Sequence, residues 1–197
     1  MRILLSLAVL CSFSAQTMAR NNVTTTYPGS IMVPGNQEVD PKEAALDKIV
    51  QQIDAEYATI NAKKLNIRIE KIEEGAFEEG CPVTANVTFS NAAGEPVEKI
   101  ERWLAADATE EMTEFYYKAG KLFFVFRKQV YYPPNTADEP VQSELKIYFD
   151  KGKAVKYISN QGDTYQTMDF SAEVNEGNAL YKAKTKEQVR DAICPAD

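Results

Sequence analysis

EFYYKAGKLFFVFR, from Glu114 to Arg127, and its echo KIYFDKGKAVKYIS, from Lys146 to Ser159, decide the fold class of this chain. Each reads as a β-hairpin. Aromatic and branched residues flank a two-residue turn ending in glycine, Ala119-Gly120 or Lys151-Gly152, where the backbone needs positive φ. A two-residue loop sets the pairing: Lys118 opposite Lys121, Tyr117 opposite Leu122, Tyr116 opposite Phe123, Phe115 opposite Phe124 and Glu114 opposite Val125. With alternation along each strand, one face then holds Phe115, Tyr117, Leu122, Phe124 and Phe126. The same register in the second hairpin adds Leu145, Ile147, Phe149, Ala154 and Ile158 to that face and sets Asp150 opposite Lys153 as a cross-strand charge pair.

That face is expected to be the core. The opposite one carries the candidate binding residues Tyr116, Phe123, Arg127, Lys146, Tyr148 and Tyr157, an aromatic surface edged by cations, of the kind that recognises proteins. Cover by the chain itself competes with that reading, because tyrosine and phenylalanine favour strands and large exposed apolar patches are rare.

Outward from the hairpins, Asp40-Pro41-Lys42-Glu43 supplies an N-cap, a proline at the first helical position and an acid placed for a capping box. Leu46, Ile49, Val50, Ile53, Tyr57 and Ile60 follow at helical spacing, which predicts an amphipathic helix ending near Lys64 and packed on the sheet. The period then becomes two, through Leu65, Ile67 and Ile69, and again through Val83, Ala85, Val87 and Phe89. The run Leu122 to Phe126 is apolar at every position, as in strands covered on both sides. Phe170, Ala172 and Val174 alternate and predict a last strand from Tyr165 to Val174. Thr185-Lys186-Glu187-Gln188 resembles a capping box opening a short terminal helix. The expected fold is α+β: a long N-terminal helix packed on an antiparallel β-meander of about seven to nine strands, with a short C-terminal helix.

Residues 1–19 read as a signal peptide: basic Arg2, an apolar run from Ile3 to Phe13, and small residues before a cut after Ala19. Residues 20–39, broken by Pro28-Gly29 and Pro34-Gly35, read as a linker or strap that could lie on the sheet, and 40–197 as a single domain. No second apolar run of membrane length follows, so stable membrane insertion is not expected. Export to a periplasmic or extracellular compartment makes a disulfide between Cys81 and Cys194 the expected state of the two cysteines that remain. The net charge of −7 argues against nucleic acid and anionic lipid as partners.

The chain has no histidine. That removes the usual general base, the commonest zinc ligand and every Ser-His or Cys-His nucleophile. No phosphate-cradling glycine loop, nucleophile elbow or zinc cluster is present in sequence, so no cofactor and no metal is expected. Carboxylate chemistry stays open, with dense acids at Glu73-Glu74, Glu78-Glu79 and Glu110-Glu111-Glu114. Asn22-Val23-Thr24 and Asn86-Val87-Thr88 match the glycosylation pattern.

The Y-[YF]-x-x-G-K hairpins, Tyr116 to Lys121 and Tyr148 to Lys153, resemble those of exported bacterial proteins of unassigned function and the strand repeats of some bacterial toxin-antitoxin proteins. The resemblance implies an envelope-side setting and transfers no catalytic residue. Together these features point to an exported non-enzymatic binding or inhibitor protein that meets a protein or envelope partner through the aromatic face or adjacent loops. The alternative is a carboxylate-dependent hydrolase of envelope glycans, marked by a cleft with two facing carboxylates, one of raised pKa. A structural envelope component is a third reading, and the oligomeric state is left open.

Overall fold

The computed structural model describes residues 40–73, 83–135, 139–161 and 169–194. The expected signal peptide, the strap at 20–39 and Cys81 lie outside them. Seven strands run in chain order, each antiparallel to the next: β1 (Asn66–Ile72), β2 (Thr84–Asn91), β3 (Lys99–Ala106), β4 (Thr109–Lys118), β5 (Lys121–Tyr131), β6 (Val141–Asp150) and β7 (Lys153–Ser159). Among the described residues three helices complete the α+β unit: α1 (Pro41–Ala62), α2 (Ser171–Lys182) and α3 (Lys186–Ile193).

The two quoted hairpins share one construction. Their turns hold Ala119 at φ 49° and Gly120 at 75°, and Lys151 at φ 51° and Gly152 at 79°, the paired positive φ that matches strand twist in a two-residue loop. Three residues past each turn the register slips. Tyr117 faces Leu122 but Tyr116 faces Phe124, so Phe123 is a bulge residue. Phe149 faces Ala154 but Tyr148 faces Lys156, so Val155 is its counterpart.

The bulges overturn the expected pairing. Beyond them Phe115 stands opposite Val125 and Glu114 opposite Phe126. An extra residue flips the side-chain parity of everything that follows it. Phe124 and Phe126 therefore leave the Phe115 face, Tyr157 joins it opposite Ile147, and Ile158 leaves it. Asp150 and Lys153 do stand in register.

Both faces are covered, as the unbroken apolar run in β5 requires, and α1 lies on the face expected to meet a partner rather than on the Phe115 face. Helix α1 lies over Tyr116, Phe124 and Tyr148, where Val50, Ile53 and Ile60 are buried with them. The Phe115, Ile147 and Phe149 face is closed by Phe170, Leu180, Ala183 and Val189 from the C-terminal segment. The N-terminus of α1 is capped as expected, Asp40 Oδ1 accepting from the Lys42 amide at 2.9 Å. The Thr185–Gln188 capping box of α3 forms in both directions.

In place of the expected last strand, the described residues from Ser171 onward form α2. Phe170, Val174, Gly177 and Tyr181 recur at helical, not strand, spacing. Gly177 is buried against the sheet: a Cβ there would come within 2.8 Å of the Phe115 ring. The Tyr117 hydroxyl donates to the Gly177 carbonyl at 2.6 Å. A small residue lets the helix backbone approach the sheet closely enough for that bond.

Candidate functional site

The six residues expected to form a binding face do not share a surface. Tyr116 is 0% and Tyr148 2% exposed, both beneath α1. Tyr57 meets Tyr116 and Phe124 edge-on, with ring centroids 4.9 and 5.1 Å apart. Each buried hydroxyl is satisfied: Tyr116 donates to Glu114 Oε2 at 2.7 Å, and Tyr148 to Asp54 Oδ1 at 3.2 Å. Burial first, then the neighbouring carboxylate, pushes the Tyr116 hydroxyl well above the ordinary phenol range and Tyr148 up to about 12.

Tyr157 and Arg127 point to the other side. Tyr157 packs on Phe170, and Arg127 pairs with Glu173 of α2 at 2.9 Å while lining a small polar cavity of about 160 Å³ with Gln129, Tyr131 and Ser143. Lys146 is exposed on the α1 side. Phe123 lines a larger cavity.

That cavity is made by the bulges. The last pair joining β5 to β6 is Phe124 with Tyr148, so Lys121–Phe123 and Phe149–Asp150 run on toward their turns without pairing to each other, each still within its own hairpin. The two hairpin tips splay. Between them opens a cleft of about 380 Å³ on the α1 side, lined by Ile49, Ile53, Leu122, Phe123 and Phe149, with Gln52, Glu56, Lys118, Lys121, Asp150, Lys151 and Gly152 around it. On the α2 side a cavity of about 390 Å³ shares Lys121, Leu122, Phe149, Lys151 and Gly152 and adds Gly120, Val174 and Asn178. Both have the size and the apolar lining with few polar groups that suit a small ligand.

Charge at the tips runs against the chain as a whole. Net charge is −7, yet Lys118, Lys121, Lys151 and Lys153 cluster here. Glu56 takes up Lys118, which leaves Lys121 and Lys151 as cations on the rim without a carboxylate partner among the described residues.

The acids were the other candidates. Glu111 and Glu114 lie on opposite faces of β4: Glu111 bonds Arg102, and Glu114 bonds Lys99 at 2.6 Å. A part-buried cluster on the α2 side gathers Arg102, Glu111, Thr113 and Glu176, of which sequence spacing indicated only Glu111. Burial raises the Glu176 carboxyl to about 7, with Glu111 and Glu173 adding to the rise and Arg102 opposing it. Glu176 Oε1 lies 2.6 Å from Arg102 Nε, within ion-pair reach but off the hydrogen-bond direction. Glu111 and Glu176 are both held by the Arg102 guanidinium, and Glu114 by the Lys99 ammonium. Among the described residues no group of three acids or cysteines is placed to hold a metal ion, and no helix is long and apolar enough to cross a membrane.

Asn86 lies in β2, half-buried, and Cys194 is the C-cap residue of α3. The chain matches no family model, no curated protein and no solved structure.

Proposed function

We propose that the protein is an exported, non-enzymatic binding protein that takes the apolar tail of an anionic amphiphile, an envelope component by class, into the cleft between its two hairpin tips. The observation that carries this reading is the cleft itself: an apolar floor of Leu122, Phe123 and Phe149 under Lys121 and Lys151, which have no carboxylate partner among the described residues. Apolar burial supplies the affinity, and the ammonium groups select the charge of the head. The expected binding element thus moves from the buried Tyr116/Tyr148 face to the adjacent turns.

The hydrolase reading has one feature in its favour, the raised carboxyl of Glu176. It is weakened by the placement of that group, which is paired with Arg102, because a general acid must present its proton to substrate. Binding is therefore preferred to catalysis.

Calorimetric titration with a medium-chain alkyl carboxylate, the matching alkyl trimethylammonium and the matching alcohol tests the reading. Saturable binding of the carboxylate, at least tenfold weaker for the cation and lost in the Lys121→Glu/Lys151→Glu variant, is expected. Equal binding of the cation, or full binding by the variant, overturns it.

A further inference from the structure

The sheet has two edges, and they are built differently. Strand β7 carries devices that keep an edge from pairing: the bulge at Val155 and lysines at 153 and 156. Strand β1 has none of the first kind. It pairs with β2 through seven consecutive residues without a register shift, and on the α1 side it shows two bare isoleucines, Ile67 at 64% and Ile69 at 55% exposed. Its outer side has no strand partner among the described residues.

The charges of β1 are also self-complementary. We propose that β1 pairs with the β1 of a second copy of this chain, antiparallel, across a two-fold axis at Ile69. Arg68 then faces Glu70 of the partner subunit, and Glu70 faces Arg68 of the partner subunit. Opposite charges meet twice, where a shift of register by one residue would set Arg68 against Lys71. Ile69 meets its own symmetry mate, and Ile67 lies against the aliphatic stem of the partner's Lys71, with the ammonium free to reach water. Within one copy Arg68 already bonds Glu70 at 2.7 Å, so the axis brings two such pairs together into a ring of four charges. A two-fold interface is self-complementary by construction, and it leaves no free β1 edge to propagate.

Sedimentation of the full chain over a range of concentrations, beside Ile69→Lys, is the first test. The side chain at 69 is solvent-facing in the single copy, so the variant folds, and its circular dichroism checks that. A dimer in the parent and a monomer in the variant is the expected result. A parent that stays monomeric to its solubility limit, or a dimer unaffected by Ile69→Lys, overturns the proposal. The register is tested by oxidation of Ile69→Cys and Ile67→Cys. Directly opposite side chains have Cβ atoms about 5 Å apart, so the first variant gives a covalent dimer and the second does not. The reverse result overturns the axis at Ile69.

Discussion

The two faces of one sheet are closed in two different ways. On the C-terminal side α2 is seated backbone-to-ring, through a glycine that a single added carbon would lift off Phe115. On the other side α1 spans the sheet on a cushion of aromatic rings and is tied at its polar margins by groups near water, Lys118 to Glu56, Lys156 to Asp47 and Lys63 to Glu98. Close packing tolerates little change, whereas exposed ion pairs contribute little and are screened by salt. The C-terminal cover is therefore the rigid one. The N-terminal cover supplies one wall of the cleft between the hairpin tips.

Gly177→Ala attacks the rigid seat and has the largest expected effect. The gain in helix propensity, up to about 1 kcal/mol, is outweighed by an overpacking cost of roughly 1–3 kcal/mol and by the lost approach of Tyr117. Urea denaturation should show a net loss, and a variant as stable as the parent would show that the ring gives way freely.

Next comes Tyr116→Phe on the α1 side. It removes a hydroxyl that bonds a carboxylate, at an expected cost of about 1–2 kcal/mol. Tyr148→Phe should cost less, because its partner Asp54 is exposed.

Glu176 gives the C-terminal side a pH signature near neutrality. Its carboxyl is raised from 4.5 to about 7 in the fold. The native state therefore favours the protonated form, and the stability this contributes is full below pH 4.5 and lost as pH rises through about 7. Melting temperatures of Glu176→Gln should lack that decline, and an unchanged slope between parent and variant would remove Glu176 as its source. The smallest effect belongs to Lys118→Ala, under about 1 kcal/mol for an exposed pair, and it should vanish in high salt.

Much of the fold is written in local chemistry. The cap at Asp40, the stripe on α1, the glycine turns and the capping box at Thr185 are short-range signals, and each forms as expected. The face assignment is not of that kind. Leu122 to Phe126 is apolar throughout, so it has no alternation by which to detect one inserted residue, and the bulge at Phe123 escapes a reading based on parity. The matching bulge at Val155 follows the same hairpin plan; the first brings Phe124 and Phe126 onto the Tyr116/Tyr148 face, which α1 covers, and the second takes Tyr157 off it.

Helix α2 was hidden for another reason. Phe170, Ala172 and Val174 mimic a strand, and Gly177 counts against a helix by propensity while serving as its contact point. Had glycine been counted as an interior residue, the spacing of Phe170, Val174, Gly177 and Tyr181 would have shown it. The cleft was beyond sequence reach because it depends on where two bulged strands part. The Cys81–Cys194 bridge remains a proposal of the exported reading. Mass spectrometry of the unreduced chain checks it: a peptide joining both cysteines is expected, and free alkylated thiols would dismiss it.

The most direct test of the ligand cleft is localisation. An alkyl carboxylate bearing a nitroxide at its tail, added to the isotopically labelled protein, should broaden the amide signals of Leu122, Phe123 and Phe149 while leaving those of Thr109 and Val141, at the far end of the sheet, sharp. Broadening centred anywhere other than between the Ala119-Gly120 and Lys151-Gly152 turns, or none at saturating probe, would contradict the assignment.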